Sequence, residues 1–198
     1  MKKYFGQRYS LCCGGPREYE HVISWPSASP LPHIAATYFT KDDEEAVFVL
    51  GNLQGQLTCV RMGSVRGMTS VTQLASPSHY LGRVWTSLTA RSSADRDTPL
   101  SLTISTVAGI LVLVTVCRDH KVRVWNLTSG DCVLTTDLVQ FLAEAGCSEM
   151  AQGTQPHRIA SVEQEKGEER RVCVFLCFQQ HSQFLILGLS MNAGQVGN

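Results

Sequence analysis

One stretch, Leu100 to Leu138, narrows the possible folds more than any other. Leu100-Ser-Leu-Thr-Ile-Ser-Thr-Val107 alternates and is rich in β-formers, Ala108-Gly109 reads as a tight turn, and Ile110 to Cys117 is a run of mostly branched residues. Arg118-Asp119 interrupts that run. His120-Lys-Val-Arg-Val-Trp-Asn126 then alternates polar and apolar, with Val122 and Val124 on one face, and Leu127-Thr-Ser-Gly130 turns the chain into a last strand over Asp131 to Thr136. Alternation bounded by Gly, Asp and Ser is the pattern of half-buried strands, and links this short make successive strands antiparallel neighbours. The stretch predicts a four-stranded meander.

The pattern recurs. Ile34 to Thr40, Ala46 to Leu50, Gln56 to Met62 and Val71 to Ala75 read as four strands, with Lys41-Asp-Asp-Glu-Glu45 and Gly51 to Gly55 as turns. At a shift of 65 residues, Val47, Val49, Leu57 and Cys59 fall on Val112, Val114, Val122 and Val124, and Gln54-Gly55 falls on Asp119-His120. A weaker third copy matches Val172, Val174 and Leu176 to Ile110, Val112 and Val114 at a shift of 62, with Phe184 and Ile186 on Val122 and Val124. Repeated meanders that cannot bury their faces alone must stack. A meander carrying Asp-x5-Trp is the pattern of one β-propeller blade. The fold expected is all-β: a partial β-propeller of antiparallel four-stranded blades with short helical insertions.

The expected layout is an irregular segment over 1–17, a partial propeller over 18–191 and a flexible end over 192–198. Blades fall near 34–76, 100–138 and 157–190, with a helical insertion at 78–90, and Tyr19 to Trp25 reads as one more strand. A closed propeller needs about four to eight blades. Two blades and a partial third are therefore expected to be a piece of a larger protein or a truncated product, with open edges that fold poorly alone.

Two helices are expected. Leu81, Val84, Trp85 and Leu88 follow at i, i+3, i+4 and i+7 with Ser78 as N-cap, which predicts an amphipathic helix. It is the candidate interaction helix, although packing on the propeller rim is the commoner use of such a stripe. A shorter helix is expected over Asp137 to Ala145, with Val139, Phe141 and Leu142 inward and Gly146 as its stop. Gln164 to Arg170 reads as an exposed charged loop between strands at Arg158 to Val162 and Arg171 to Phe178, and Phe184 to Leu189 as the last strand.

Composition excludes whole classes of function. With 43% apolar and 17% charged residues the chain is no disordered tail, and a formal net charge of zero gives no basic footprint, so no direct nucleic-acid contact is expected. The longest apolar runs, Ile110 to Cys117 and Val172 to Phe178, fall far short of the roughly 20 residues that span a bilayer. Met1-Lys-Lys-Tyr-Phe-Gly-Gln-Arg8 has charge but no apolar region after it, which is not a secretory signal. No membrane insertion is expected, and a reducing compartment is. There the irregularly spaced cysteines, Cys59, Cys117, Cys132, Cys173 and Cys177 among them, are expected as small buried hydrophobes.

Motifs for chemistry are sparse. Cys173-x3-Cys177 with His181 has the residue types of a metal site, but residues four apart on a strand lie about 13 Å from each other, and the adjacent Cys12-Cys13 pair is equally ill-suited to one ion. No metal and no cofactor are expected. Gly51-Asn-Leu-Gln-Gly55 lacks the Gly-Lys-Ser/Thr ending of a phosphate loop and leads into a strand. No Gly-x-Ser-x-Gly elbow is present in the sequence. The sequon Asn126-Leu-Thr128 lies at a strand end without a secretory signal and is expected to be unused. A propeller hydrolase would need convergent acids, bases or metal ligands, and Asp119, His120 and His181 have no clear partners, so no enzyme is expected. Asp119 is better read as accepting backbone N–H groups and fixing its hairpin. Trp125 is expected to pack between blades, its indole N–H needing an acceptor.

Cys117-Arg-Asp-His-Lys-Val-Arg-Val-Trp125, continuing into Asp131-Cys-Val-Leu-Thr-Thr-Asp-Leu138, resembles the propeller of the 160-kilodalton nucleoporin family, from the Y-shaped scaffold complex of the nuclear pore. Asp95-Arg-Asp-Thr-Pro-Leu-Ser-Leu102 resembles the segment leading into that blade. Gly67-Met-Thr-Ser-Val-Thr-Gln-Leu74 and Glu44-Glu-Ala-Val-Phe-Val-Leu50 resemble the blade before it, and the helix around Trp85 falls where that family carries a helical insertion. The resemblance spans about residues 33 to 190. It implies a non-enzymatic scaffold at the nuclear envelope that supports pore assembly, mRNA export and protein transport, with other nucleoporins of the Y-shaped complex as partners. The family's long α-helical region has no counterpart in this sequence. A WD-type adaptor of another complex is the rival. Asp119 and Trp125 suit it, but Asp97-Thr-Pro99 stands where its Gly-His would be, and copies 65 residues apart exceed its spacing of about 40–45.

Overall fold

A computed structural model describes residues 2–6, 21–25, 32–40, 45–63, 69–74, 98–147, 149, 155–166, 169–179 and 184–190. The chain divides into two compact units, 1–31 and 32–198. In the first, β1 (Lys2–Gly6) pairs antiparallel with β2 (His21–Trp25), from Lys2 opposite Trp25 to Gly6 opposite His21. This corrects two expectations: residues 1–17 hold a strand, and the strand His21–Trp25 lies in the 1–31 unit, not in one body over 18–191.

The second unit is three antiparallel meanders. Sheet I is β3 (Pro32–Phe39), β4 (Glu45–Asn52), β5 (Leu57–Gly63) and β6 (Thr69–Leu74). Sheet II is β7 (Pro99–Val107), β8 (Ile110–Cys117), β9 (Lys121–Asn126) and β10 (Cys132–Asp137). Sheet III has three strands among the described residues: β11 (Pro156–Lys166), β12 (Glu169–Phe178) and β13 (Phe184–Ser190). In each sheet neighbouring strands are consecutive in the chain, the arrangement of a propeller blade.

All three sheets begin in the same way. Pro32, Pro99 and Pro156 are each the first residue of the first strand and stand opposite Asn52, Cys117 and Phe178. The register slips by one residue immediately after each proline, at Ile34, Ser101 and Arg158. Proline has no N–H to give a ladder, so a strand start followed by a bulge is where it costs least. Arg118 N–H donates to Thr98 O at 2.9 Å, and Gln179 N–H donates to Gln155 O at 3.0 Å, closing sheets II and III alike.

That common start sets the true repeat. Asn52 corresponds to Cys117 at the expected shift of 65, and both sheets then make the same turn: Gly55 N–H donates to Asn52 O and His120 N–H to Cys117 O, each at 3.1 Å. Both residues have positive φ, 78° at Gly55 and 60° at His120. Cys117, however, corresponds to Phe178, a shift of 61. The match of Val172, Val174 and Leu176 to Ile110, Val112 and Val114 was one residue out of register. A one-residue slip moves every side chain to the opposite face. The pairing of Phe184 and Ile186 with Val122 and Val124 holds, because Cys177 and Phe175 stand opposite them as Val116 and Val114 stand opposite Val122 and Val124.

Between sheets II and III runs the one helix among the described residues that an α-helical ladder closes, α1 (Leu138–Glu144). Asp137 caps it by accepting from Val139 and Gln140 N–H. Gly146, at φ 73°, ends it. Leu142 is buried as expected, but its inward neighbour one turn away is Leu138; Val139 is exposed and Phe141 only half-buried. Within the charged run expected as a loop, Gln164 to Lys166 and Glu169 to Arg170 are strand, paired out to Lys166 opposite Glu169. The expected 78–90 helix, with Leu81, Val84, Trp85 and Leu88, lies outside the described residues, as do Cys12, Cys13 and His181. No helix among the described residues is long and apolar enough to cross a membrane.

Candidate functional site

What the second unit builds is stacked faces. Side chains of paired strand residues share a face, so each sheet has a front face, toward the sheet that follows in the chain, and a back face. The front of sheet I carries Val47, Val49, Leu57 and Cys59, buried against Leu102, Ile104, Leu113 and Trp125 on the back of sheet II. The front of sheet II carries Val112, Val114, Val122 and Val124, buried against Ile159, Val172, Val174 and Leu176 on the back of sheet III, with Leu138 and Leu142 closing one margin. A fully buried Val or Leu contributes about 1.5–3 kcal/mol, so these two seams carry most of the unit's stability.

Hydrogen bonds between the first strands fix how the sheets sit. Tyr38 Oη and Thr106 Oγ1 are 2.8 Å apart, and His33 Nε2 lies 3.2 Å from Pro99 O. Thr98 Oγ1 donates to Leu53 O at 2.6 Å. One seam further on, Thr103 and Ser161 hydroxyls are 2.8 Å apart, Ile159 N–H donates to Ser101 Oγ at 3.1 Å, and Thr106 N–H donates to Glu163 Oε1 at 2.9 Å. Arg61 joins sheets I and II at their outer side. It pairs with Glu45 at 2.9 Å and donates to Leu127 O at 3.0 Å. Gly51 marks the closest approach: a Cβ there would lie 2.8 Å from Pro99 Cγ and 2.9 Å from Ile34 Cγ2.

Asp119 lies in the β8–β9 turn. Its Oδ1 accepts Lys121 N–H at 3.2 Å and Arg123 Nη1–H at 3.1 Å, and its Oδ2 takes the second arm of the guanidinium. Trp125 is buried between sheets I and II, and its Nε1–H donates to Thr115 Oγ1 at 3.3 Å. Thr115 in turn donates to Arg123 O at 3.4 Å. His120 contributes backbone: its O accepts Leu138 N–H at 2.9 Å, tying the turn to α1. Three donors therefore converge on the Asp119 carboxylate, one from the backbone and two from Arg123.

The sequon residue Asn126 is buried, and its Oδ1 accepts Thr128 and Ser129 N–H at 2.8 and 3.3 Å, which closes the turn. Burial raises the Cys117 thiol from 9.0 to about 11 and pushes Cys59 in the same direction. The other strand cysteines depart from the expectation of burial: Cys132 and Cys173 are half-buried and Cys177 is exposed. No group of three or more metal-ligating side chains converges among the described residues. An open cleft of about 430 Å³ lies where the β3–β4, β7–β8 and β11–β12 ends meet, lined by Arg61, Glu45, Glu163 and Arg171 among others. Sequence patterns gave no hint of it, because its residues come from three separate sheets; the recurring Pro at each sheet start was the signal that would have aligned the three ends.

Consecutive antiparallel meanders, with the front faces of sheets I and II seated on the backs of sheets II and III, define a β-propeller segment. The model for the Nucleoporin Nup120/160, beta-propeller domain matches residues 17–197, and the chain belongs to that family. It is 27% identical over 132 residues to Nuclear pore complex protein Nup160 of Homo sapiens and 26% identical over 132 residues to that of Mus musculus. Each alignment covers 64% of this chain and 9% of the relative, so the chain spans under a tenth of the length of the curated relatives it matches.

Proposed function

We propose that this chain is a structural module of the nuclear pore, a scaffold nucleoporin piece that acts at the nuclear envelope by presenting rigid stacked sheets to other nucleoporins of the Y-shaped complex. The single observation that carries this reading is the family match over 17–197, joined to stacked sheets that buried polar side chains such as Thr98 and Ser101 tie together. Pore assembly, mRNA export and protein transport follow as processes such a scaffold supports. No reaction is assigned. Asp119, His120 and Trp125 are structural in this reading, holding a blade turn and a seam between blades, and the segment with Leu81, Val84, Trp85 and Leu88 is a candidate contact for partners. The layout is that of a partial propeller with blades near 34–76, 100–138 and 157–190.

The test is location and company. A fluorescently tagged chain should concentrate in a punctate nuclear rim, and its nuclease-treated purification should yield Y-complex subunits in stable ratio. Diffuse fluorescence with recovery of a stable unrelated complex would replace this reading with that of a WD-type adaptor.

A further inference from the structure

The cleft at the hairpin ends comes from a difference in hairpin length. Sheet II closes at once: Val107 stands opposite Ile110, with only Ala108 and Gly109 between them. The equivalent pair in sheet III, Gln164 opposite Arg171, is followed by two more, Glu165 opposite Arg170 and Lys166 opposite Glu169. In sheet I the equivalent residues, Thr40 and Glu45, are joined by the link 41–44, and Thr40 N–H donates to Glu45 O at 3.0 Å. The short middle hairpin is therefore the floor of the cleft, with Glu45 and Arg61 on one wall and Glu163, Gln164 and Arg171 on the other.

Two features mark it as a site. The floor is kept low at a cost in strain. Ala108 and Gly109 both have positive φ, 49° and 81°, a turn that Asn-Gly makes with less strain, yet position 108 carries only a methyl group. A Cβ built on Gly109 meets nothing within 4 Å. The second feature is Arg171. Arg61 is paired with Glu45, and Glu163 accepts Thr106 N–H. Arg171 is in neither ion pair found among the described residues, and its buried Nε has no hydrogen-bond partner. A desolvated donor without an acceptor costs free energy that an incoming acceptor recovers, and a guanidinium suits a carboxylate best.

The surrounding charges decide what kind of molecule brings that carboxylate. Within the cleft Glu45 and Glu163 balance Arg61 and Arg171. The end of sheet III adds Glu165, Lys166, Glu169 and Arg170, and the links 41–44 and 167–168 add Lys41, Asp42, Asp43, Glu44 and Glu168, six acids against three bases. A phosphate or a run of acids meets net repulsion at such a rim. An acid flanked by Lys or Arg does not: its carboxylate pairs with Arg171 while the flanking cations face the surplus acids. A cleft of about 430 Å³ has room for a few side chains, not for a folded domain.

Resting on the reading of the chain as a structural module, we propose that this cleft binds an extended polypeptide segment carrying Asp or Glu between Lys or Arg residues, its carboxylate on Arg171. The full chain, labelled with nitrogen-15, is titrated with the peptide acetyl-Lys-Lys-Glu-Lys-Lys-amide, with its Gln analogue, with acetate and with phosphate. The readout is the NMR signal of Arg171 Nε–H, assigned by its loss in Arg171→Gln, and peptide affinity is measured in parallel by fluorescence anisotropy. The Glu peptide should move the signal and bind about tenfold more tightly than the Gln analogue, acetate or phosphate. Arg171→Gln should lose that tenfold preference with its urea midpoint unchanged, because the guanidinium has no partner to forfeit. Ala108→Asn should raise the urea midpoint and weaken the peptide about tenfold, since it relieves the turn and fills the floor; it keeps the test open if Arg171→Gln does not fold. Equal affinity for the Glu and Gln peptides, tighter binding of acetate or phosphate, no movement of the signal, or full affinity in Ala108→Asn overturns the site. Nuclear-rim fluorescence of a chain that binds no peptide overturns the cleft alone, whereas peptide binding by a chain that stays off the rim supports the cleft and overturns the pore assignment.

Discussion

Sheets II and III start from the same proline, bulge at the same place and close with the same backbone hydrogen bond, yet one is interior and the other half surface. Sheet II has valines on its front, Leu113 and Trp125 on its back, and both faces are buried. Sheet III buries only its back, Val172, Val174 and Leu176. Alternation along a strand therefore reports that one face is apolar, not how many faces are covered. Coverage depends on neighbours, and what sets sheet III apart is larger and charged side chains, Phe175, Phe184 and Arg171, where sheet II has Val114, Val122 and Ile110.

The sharpest way to break this contrast is one charge placed at equivalent points. Val124→Asp buries an unpaired carboxylate in the seam and should cost about 4 kcal/mol or more. Ile186→Asp faces water and should cost less than about 1 kcal/mol. Urea unfolding followed by circular dichroism compares them, and equal losses would mean that sheet III is covered within the chain. Next in size is Asp119→Ala. It removes the carboxylate that takes both arms of Arg123, a side chain only 9% exposed, and should cost about 3 kcal/mol. A change within about 0.5 kcal/mol would show that the turn does not depend on this pair.

The thiols report the same contrast. Cys117, in the covered part of sheet II, should react with a thiol reagent only after unfolding, and Cys177, on the open face, should react in the native state. Because the folded state holds the Cys117 proton more tightly than the unfolded chain, with a pKa of about 11 against 9.0, its contribution is complete below pH 9 and is lost as pH rises through 11. It amounts to about 2–3 kcal/mol. Cys117→Ala should flatten the fall of stability between pH 9 and 11 in urea titrations. Close behind is a pair of glycines. Gly51→Ala pushes a methyl group into Pro99 and Ile34 and should cost about 2 kcal/mol. Gly188→Ala, on the open face with nothing within 4 Å of its Cβ, should be neutral or stabilise by up to about 1 kcal/mol.

Much of this architecture was legible in the sequence, and the failures have physical causes. The strands of sheet II were readable because links of two to five residues and β-branched runs leave little freedom, and the shift of 65 carried that reading to sheet I, turn included. Sheet III was misaligned by one residue because every position from Val172 to Phe178 is apolar or Cys, so alternation gave no phase. Only the Pro156 bulge, a backbone feature, fixes it. Arg171 and the cleft at the hairpin ends were invisible for another reason: a pair such as Tyr38 with Thr106 exists only once sheets stack. A seven-residue helix offers too few turns to define a stripe, so its pattern does not tell Val139 from Leu138 as the inward residue.

The smallest expected effect concerns one turn made twice. Gly55 and His120 hold the same place, each donating its N–H three residues back at 3.1 Å with positive φ. Glycine takes this conformation freely, whereas a residue with a Cβ is strained by about 1 kcal/mol there. His120→Gly keeps the backbone bonds to Cys117 and Leu138 and removes that strain, but it also loosens the unfolded chain, which offsets part of the gain. The net should be a stabilisation of about 0.5 kcal/mol, against a loss of about 1 kcal/mol for Gly55→Ala in the matching turn. Opposite signs at the two sites, measured in one urea series, would establish that the turns are equivalent and that His120 occupies a glycine position. If His120→Gly destabilised the fold instead, the imidazole would be contributing contacts of its own, and the two turns would be alike in backbone only.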